Sequence, residues 1–163
     1  MSVVAVKVYE DKIEIASDSI TLFGNLTIVD KFTKLDKVNS MIIGFVGYLE
    51  EGSLMRHYAS TRKPKSNRES DILDFMVEFA EWKQSKTKTF SLSNCYIIVY
   101  EKKVFYTQDF LVSEISDFFA IGAGQDFATT ALYLNHSAVE AVGITCQLCN
   151  DCALPVNKFV VKK

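Results

Sequence analysis

The second residue of the chain is a serine, and Ser2 stands directly before a β-branched run from Val3 to Val8. Aminopeptidases generally remove an initiator methionine that precedes so small a residue. The chain would then begin with a serine carrying both a hydroxyl and a free α-amine. Such an amine titrates at about pH 7.7–8.0, so a usable fraction is neutral and basic at physiological pH. It can take the proton of its own side-chain hydroxyl, directly or through a water, while the oxygen attacks a carbonyl. Serine after methionine is commonplace, so Ser2 acquires meaning only from what surrounds it.

Other motifs carry less. Cys146, Cys149 and Cys152 form a Cys-x-x-Cys-x-x-Cys run, but structural zinc normally takes four ligands. The remaining cysteine, Cys95, lies in an apolar strand, and His57 and His136 are distant in sequence. The run reads as small, apolar packing residues rather than a metal site, with Cys146 and Cys149 on one helix face. Gly122-Ala123-Gly124 has neither the lysine of a phosphate loop nor the spacing of a dinucleotide fingerprint. The aromatic run around Phe105, Tyr106 and Phe110 has no basic surround, so it reads as strand and core.

The elements that must position Ser2 are legible in outline. Val3–Val8 and Ile13–Asp18, joined across Glu10-Asp11, read as an antiparallel hairpin. A glycine turn falls within Thr21–Asn25, and Met41–Val46 is an apolar strand ending at Gly47. Leu49–Thr61 reads as a helix. A second helix carries Ile72, Phe75, Met76, Phe79 and Ala80 on one face, with Ser70 or Asp71 as its N-cap. Cys95–Tyr100 and Lys103–Thr107 pair around Glu101-Lys102, and Phe118–Ile121 is a further strand. A helix through Phe127, Ala128, Ala131 and Leu132 follows. Ser137 to Glu140 is a capping box that opens another helix to about Cys149, and the last strand is about Val156–Val161. Blocks of strands alternating with helix pairs are not βαβ repeats. They specify an α+β fold, a four-layer αββα sandwich of two antiparallel sheets flanked by helix pairs, as a single domain over residues 1–163.

Composition narrows the function. Hydrophobic residues make up 48% of the 163 residues and charged residues 23%, with a formal net charge of −2, so neither disorder nor attraction to nucleic acid or anionic lipid is expected. No apolar run approaches the ~18 residues of a membrane span. The N-terminus does not read as a signal peptide, and four cysteines without such a signal fit reduced thiols in a cytoplasm.

The order and spacing of several short motifs resemble the β-type subunits of proteasomes and the peptidase subunit HslV of the bacterial two-ring ATP-dependent protease. The resemblance covers about residues 2–161. Ser2-Val3-Val4-Ala5-Val6 matches the first strand, Ile15-Ala16-Ser17-Asp18-Ser19 the second and Thr33-Lys34-Leu35 the third. Ile43-Gly44-Phe45-Val46-Gly47 and Phe119-Ala120-Ile121-Gly122-Ala123-Gly124 match two further signatures, and Asn150-Asp151 precedes the final strand. The resemblance implies Ser2 as nucleophile, Asp18 and Lys34 as the acid and lysine that tune it, Gly44 as oxyanion donor and Asp151 as the group that orients the N-terminus. A buried cation beside the nucleophile favours the alkoxide and depresses the amine's pKa, and a carboxylate keeps that cation charged and oriented. The resemblance also implies a closed homo-oligomeric ring, a polypeptide substrate and an ATPase unfoldase as partner, with no metal or organic cofactor. It departs at Ala123, where the family usually carries a serine hydroxyl that relays protons around the terminal amine. Two other readings stay open: an inactive structural ring subunit, and a small-amide hydrolase on the same scaffold.

Overall fold

The computed structural model describes residues 2–29 and 32–163. Its elements run β1 (Val3–Val8), β2 (Lys12–Ser17), β3 (Ile20–Phe23), β4 (Leu26–Val29), β5 (Leu35–Val38), β6 (Met41–Val46), α1 (Leu49–Ala59), α2 (Glu69–Thr87), β7 (Cys95–Tyr100), β8 (Lys103–Gln108), β9 (Leu111–Ile115), β10 (Phe118–Gly122), α3 (Gln125–Tyr133), α4 (Ala138–Leu148) and β11 (Asn157–Lys162). One antiparallel sheet has the order β10-β1-β2-β11 and a second the order β5-β6-β7-β8-β9, with β3-β4 as a separate hairpin.

Strict alternation of side chains sorts the apolar strands onto two faces. In β1, Val3 and Ala5 pack under α3 and α4 with Ala128, Ala131, Ala138 and Val142. Val4 and Val6 face the other way and meet Leu35, Ile42, Ile97 and Val99 of the second sheet. In β6, Met41, Ile43 and Phe45 pack with Met55, Tyr58, Phe75 and Phe79 of α1 and α2, while Ile42 and Val46 turn to the first sheet. Three apolar layers thus separate four structural layers, which is the expected αββα sandwich. Small side chains on α3 and α4 let those helices approach β1 closely. At Gly124, which leads into α3, a Cβ would lie 2.4 Å from Thr145 Cγ2 and 2.8 Å from Cys152 Sγ.

Most boundaries fall near those read from sequence, and the capping box is present, Ser137 accepting from the Glu140 N–H and Glu140 from the Ser137 N–H. Glu101 and Lys102 both have positive φ, 44° and 65°, as a two-residue hairpin turn that follows strand twist requires. Three expectations are corrected. The N-cap of α2 is Arg68, without a side-chain cap; Asp71 lies inside the first turn, where its carboxylate accepts from Arg68 Nε at 2.9 Å and from Ser66 Oγ. The strand expected over Thr33-Lys34-Leu35 begins at Leu35. Cys149 is the extended C-cap of α4, not a member of its helical face. The edge strand β9 has no apolar alternation to announce it, since Leu111 and Glu114 are both exposed. No helix among the described residues is long and apolar enough to cross a membrane.

Gly44 and Gly143 provide a test of the packing. A Cβ on Gly44 would stand 2.7 Å from Val4 Cγ1 and 3.3 Å from Leu35 Cδ1 between the sheets, whereas nothing lies within 4 Å of one on Gly143 in α4. Gly44→Ala is expected to destabilise the protein by about 1–3 kcal/mol through overpacking, and Gly143→Ala to stabilise it by about 0.5–1 kcal/mol through helix propensity. Urea denaturation of the two variants would check both signs.

Candidate active site

β2 ends at Ser17, and its pairing with β1 sets Ser17 opposite Val4, so Asp18 falls beside the head of β1. There the Asp18 N–H donates to Val3 O at 3.2 Å, and Asp18 Oδ1 accepts from the Val3 N–H at 2.9 Å. The backbone next to Ser2 is therefore clamped from both sides. It is clamped on the other edge as well, because Ser2 O accepts from the Gly124 N–H at 3.3 Å.

Asp18 is wholly buried, and a carboxylate in that position must be partnered. Oδ1 takes a second donor, Lys34 Nζ, at 2.9 Å. Oδ2 accepts from the Ile20 N–H at 3.0 Å and the Ala153 N–H at 3.4 Å. Lys34 arrives from the second sheet: it sits one residue before β5, and its carbonyl accepts from the Phe45 N–H at 2.9 Å. It is 3% exposed. Burial pushes its ammonium below the ordinary lysine value, although the Asp18 charge and hydrogen bond pull it upward.

Ser2 and Lys34 line a common cavity of about 300 Å³ with Ile20, Thr21, Leu22, Phe23, Phe45, Val46, Gly47 and Tyr48. The walls are mostly apolar. Within them Thr21 Oγ1 is buried and has no hydrogen-bond partner among the described residues. A buried hydroxyl without a protein partner is a group available to a bound molecule.

The structure brings Ser2, Asp18 and Lys34 together and separates the other two residues predicted from sequence. Gly44 is not in the cavity. It lies in mid-strand between Leu35 and Ile97, with its Cα against Val4 and Leu35; it is small because the sheets meet there. The glycine at the cavity is Gly47, where β6 ends and φ turns to +128°. The strand end at Gly47 is legible in the sequence, but which of the two glycines faces the cavity depends on how the other sheet packs against Gly44. Asp151 occupies the turn after α4 and, among the described residues, makes no hydrogen bond or ion pair with Asp18 or Lys34. That segment presents backbone instead: Ala153 N–H to Asp18, and Ala153 O to the Ser19 N–H at 2.9 Å. Ala153 carried no side-chain signal in the sequence. Ala123 is exposed in the turn between β10 and α3. Met1, whose removal the chemistry of Ser2 requires, lies outside the described residues.

The three clustered cysteines are free thiols, and Cys152 packs in the core beneath α3 and α4. Burial pushes the Cys146 thiol up to about 11 and the Cys152 thiol higher still, which makes both poor nucleophiles and poor metal ligands at neutral pH. Among the described residues, no group of three or more His, Cys, Asp or Glu is arranged to hold a metal ion.

Two antiparallel sheets between two helix pairs form the fold of proteasome-type N-terminal-nucleophile hydrolases. Solved structures share it. BPH of Thiobacillus denitrificans matches with a TM-score of 0.86 at 20% identity over 98% of this chain and 97% of that one. Eukaryotic HslV from Trypanosoma brucei matches with 0.73 at 18% identity over 99% of each chain. Anbu (ancestral beta-subunit) from Yersinia bercovieri matches with 0.72 at 13% identity over 97% of this chain and 80% of that one. No family model and no curated protein matches the sequence. At these identities the likeness is one of fold.

The Asp18–Lys34 pair is open to direct titration. Lys34 is expected to lose its proton below the ordinary value of 10.5, seen by NMR of ¹³C-methylated lysines. Asp18→Asn removes the interactions that raise it and should lower its pKa further. The same variant should cost about 3–5 kcal/mol, as breaking a buried pair does. Because native Lys34 releases its proton before the unfolded chain does, its own contribution makes stability rise with pH between its native pKa and 10.5.

Proposed function

We propose that this chain is a proteasome-like peptidase subunit that hydrolyses peptide bonds with Ser2 as an N-terminal nucleophile once Met1 is removed. The observation that carries the reading is the convergence of Ser2 and Lys34 on one cavity, with Lys34 Nζ 2.9 Å from the buried Asp18 carboxylate that also holds the Val3 N–H. In this mechanism the Ser2 α-amine accepts the hydroxyl proton as Oγ bonds to the scissile carbonyl carbon. The carbonyl oxygen becomes an oxyanion, and the amine returns the proton to the departing nitrogen as the C–N bond breaks. Water then enters by the same route and releases the acyl group from Ser2 Oγ. Lys34 contributes a fixed positive charge that keeps the α-amine unprotonated and favours negative charge on Oγ. The oxyanion role read from sequence for Gly44 passes to Gly47, whose backbone lies at the cavity. The part read from sequence for Asp151 passes to Ala153, two residues on, whose backbone N–H donates to Asp18. The apolar walls of Ile20, Leu22, Phe23, Phe45 and Val46 suit an apolar substrate side chain.

The test is hydrolysis of fluorogenic peptides with apolar residues before the scissile bond, using protein whose N-terminus has been established by intact mass. Protein beginning at Ser2 is expected to turn over, and Ser2→Ala to lose at least about 10³-fold in kcat, as removal of a nucleophile does. Epoxomicin, present in one of the Thiobacillus BPH structures, should compete with the peptide. No hydrolysis by protein with Ser2 at its terminus would sink the reading and favour a structural subunit, for which the methyl group at Ala123 speaks.

The same reading places the subunit in a closed homo-oligomeric ring, with an ATPase unfoldase as a partner of that ring. The support in this chain is the β3-β4 hairpin, which exposes Phe23, Leu26 and Val29 at 50%, 59% and 45% beside the cavity; apolar groups so placed mark an interaction surface. Native mass spectrometry should give a discrete multiple of the subunit mass. A monomer at micromolar concentration would remove the ring from the proposal.

A further inference from the structure

A second buried ion pair joins α1 to α2, and the chemistry of Ser2 does not use it. Glu51, in the first turn of α1, is 5% exposed and Lys83 of α2 is 4% exposed; Lys83 Nζ donates to Glu51 Oε2 at 2.9 Å and to Ser91 O at 2.5 Å. The Glu51 carboxylate also accepts from the Ser93 N–H at 3.0 Å, the Asn94 N–H at 2.9 Å and the Tyr96 hydroxyl at 3.0 Å. Burial opposes its ionisation, but these hydrogen bonds hold its carboxyl below the usual carboxylate range.

What this network fixes is Asn94, itself 1% exposed. Its side-chain amide is satisfied in both directions by one residue: Oδ1 accepts from the Tyr48 N–H at 2.6 Å, and Nδ2 donates to Tyr48 O at 2.9 Å. Asn94 Oδ1 also lies against Gly47, where a Cβ would come within 2.2 Å of it. The Gly47-Tyr48 corner, with φ +128° at Gly47, is thus held by the side chain of the residue before β7 rather than by sheet pairing, which ends at Val46.

A buried ion pair is weak support for stability, since well-packed apolar residues often serve as well or better. An oxyanion donor, by contrast, must be aimed before charge develops, and a misplacement of about 1 Å can cost about 100-fold in rate. We infer that Asn94 is the positioning residue for the Gly47 N–H, and that the buried Glu51–Lys83 pair holds Asn94 in place. The inference rests on the peptidase reading above.

The experiment measures kcat and KM for one fluorogenic peptide, together with affinity for a peptide boronate and for an uncleavable peptide of the same sequence. The boronate becomes tetrahedral on Ser2 and requires the oxyanion donor; the uncleavable peptide does not. Asn94→Ser and Glu51→Gln are used, the second keeping side-chain size and the acceptor for the Asn94 N–H should the first fail to fold. Expected are a fall in kcat of about 100-fold for Asn94→Ser and about 10-fold for Glu51→Gln, KM within about threefold, boronate affinity falling in step with kcat, and uncleavable-peptide affinity unchanged. Amide hydrogen exchange at Gly47 should quicken in both variants. Unchanged kcat and boronate affinity in a folded variant, or equal losses in both affinities, would overturn the inference. Wild-type protein beginning at Ser2 that neither turns over peptide nor binds boronate would overturn the peptidase reading itself, an outcome visible without any variant.

Discussion

Asp18 has no exposed surface, and its two oxygens take donors from four separate parts of the chain: Val3 in β1, Ile20 at the start of β3, Lys34 ahead of β5, and Ala153 beyond α4. Removing a carboxylate from water is unfavourable by several kcal/mol after relaxation, and of these partners only the Ile20 N–H, two residues on, is supplied by local structure. The two sheets and the segment after α4 have to be docked before the charge is satisfied. The geometry of the site and completion of the fold are therefore the same event, and the head of β1 is ordered by the group that would also act on it.

The apolar layer between the sheets sets the environment of Lys34. Val4, Val6 and Ile15 face Leu35, Ile42 and Val46, and charge interactions at the edge of such a layer are screened far less than at the surface. The same layer accounts for Gly44, which admits Val4 rather than a substrate. Each sheet contributes what the other lacks: the first brings Ser2 and the Asp18 carboxylate, and the second brings the Lys34 ammonium and the glycine corner after β6.

Structures only 13–20% identical share this fold, so few individual side chains are needed to specify it. The binary pattern survives where identity does not. β1 and β6 are apolar at every position but Lys7 and Gly44, and a strand buried on both faces accepts any residue of suitable volume. The helix pair over β1 is similarly undemanding, relying on alanines that need only be small.

From the sequence, the strand and helix blocks, the hairpins, the capping box and the spacing of Ser2, Asp18 and Lys34 were legible, because each depends on local periodicity, turn chemistry or position along a single strand. A role for the first strand could be read only from the joint spacing of Ser2, Asp18 and Lys34, which matches the family the motifs resemble. Tertiary structure alone decided which of two glycines reaches the cavity, since Gly44 is set against Val4 of the other sheet while Gly47 turns out of the strand against Asn94. It alone decided that the segment near Asp151 acts through the backbone of Ala153, since a peptide N–H carries no residue-type signal. Strand β9, the N-cap of α2 and the pairing of Asn94 with Tyr48 belong with these. β9 and the start of α2 have their partners nearby but lack the apolar alternation and the capping side chain that would announce them. Tyr48 lies 46 residues from Asn94, and nothing in a local window encodes which of many equivalent polar groups the packing of sheets and helices will bring together.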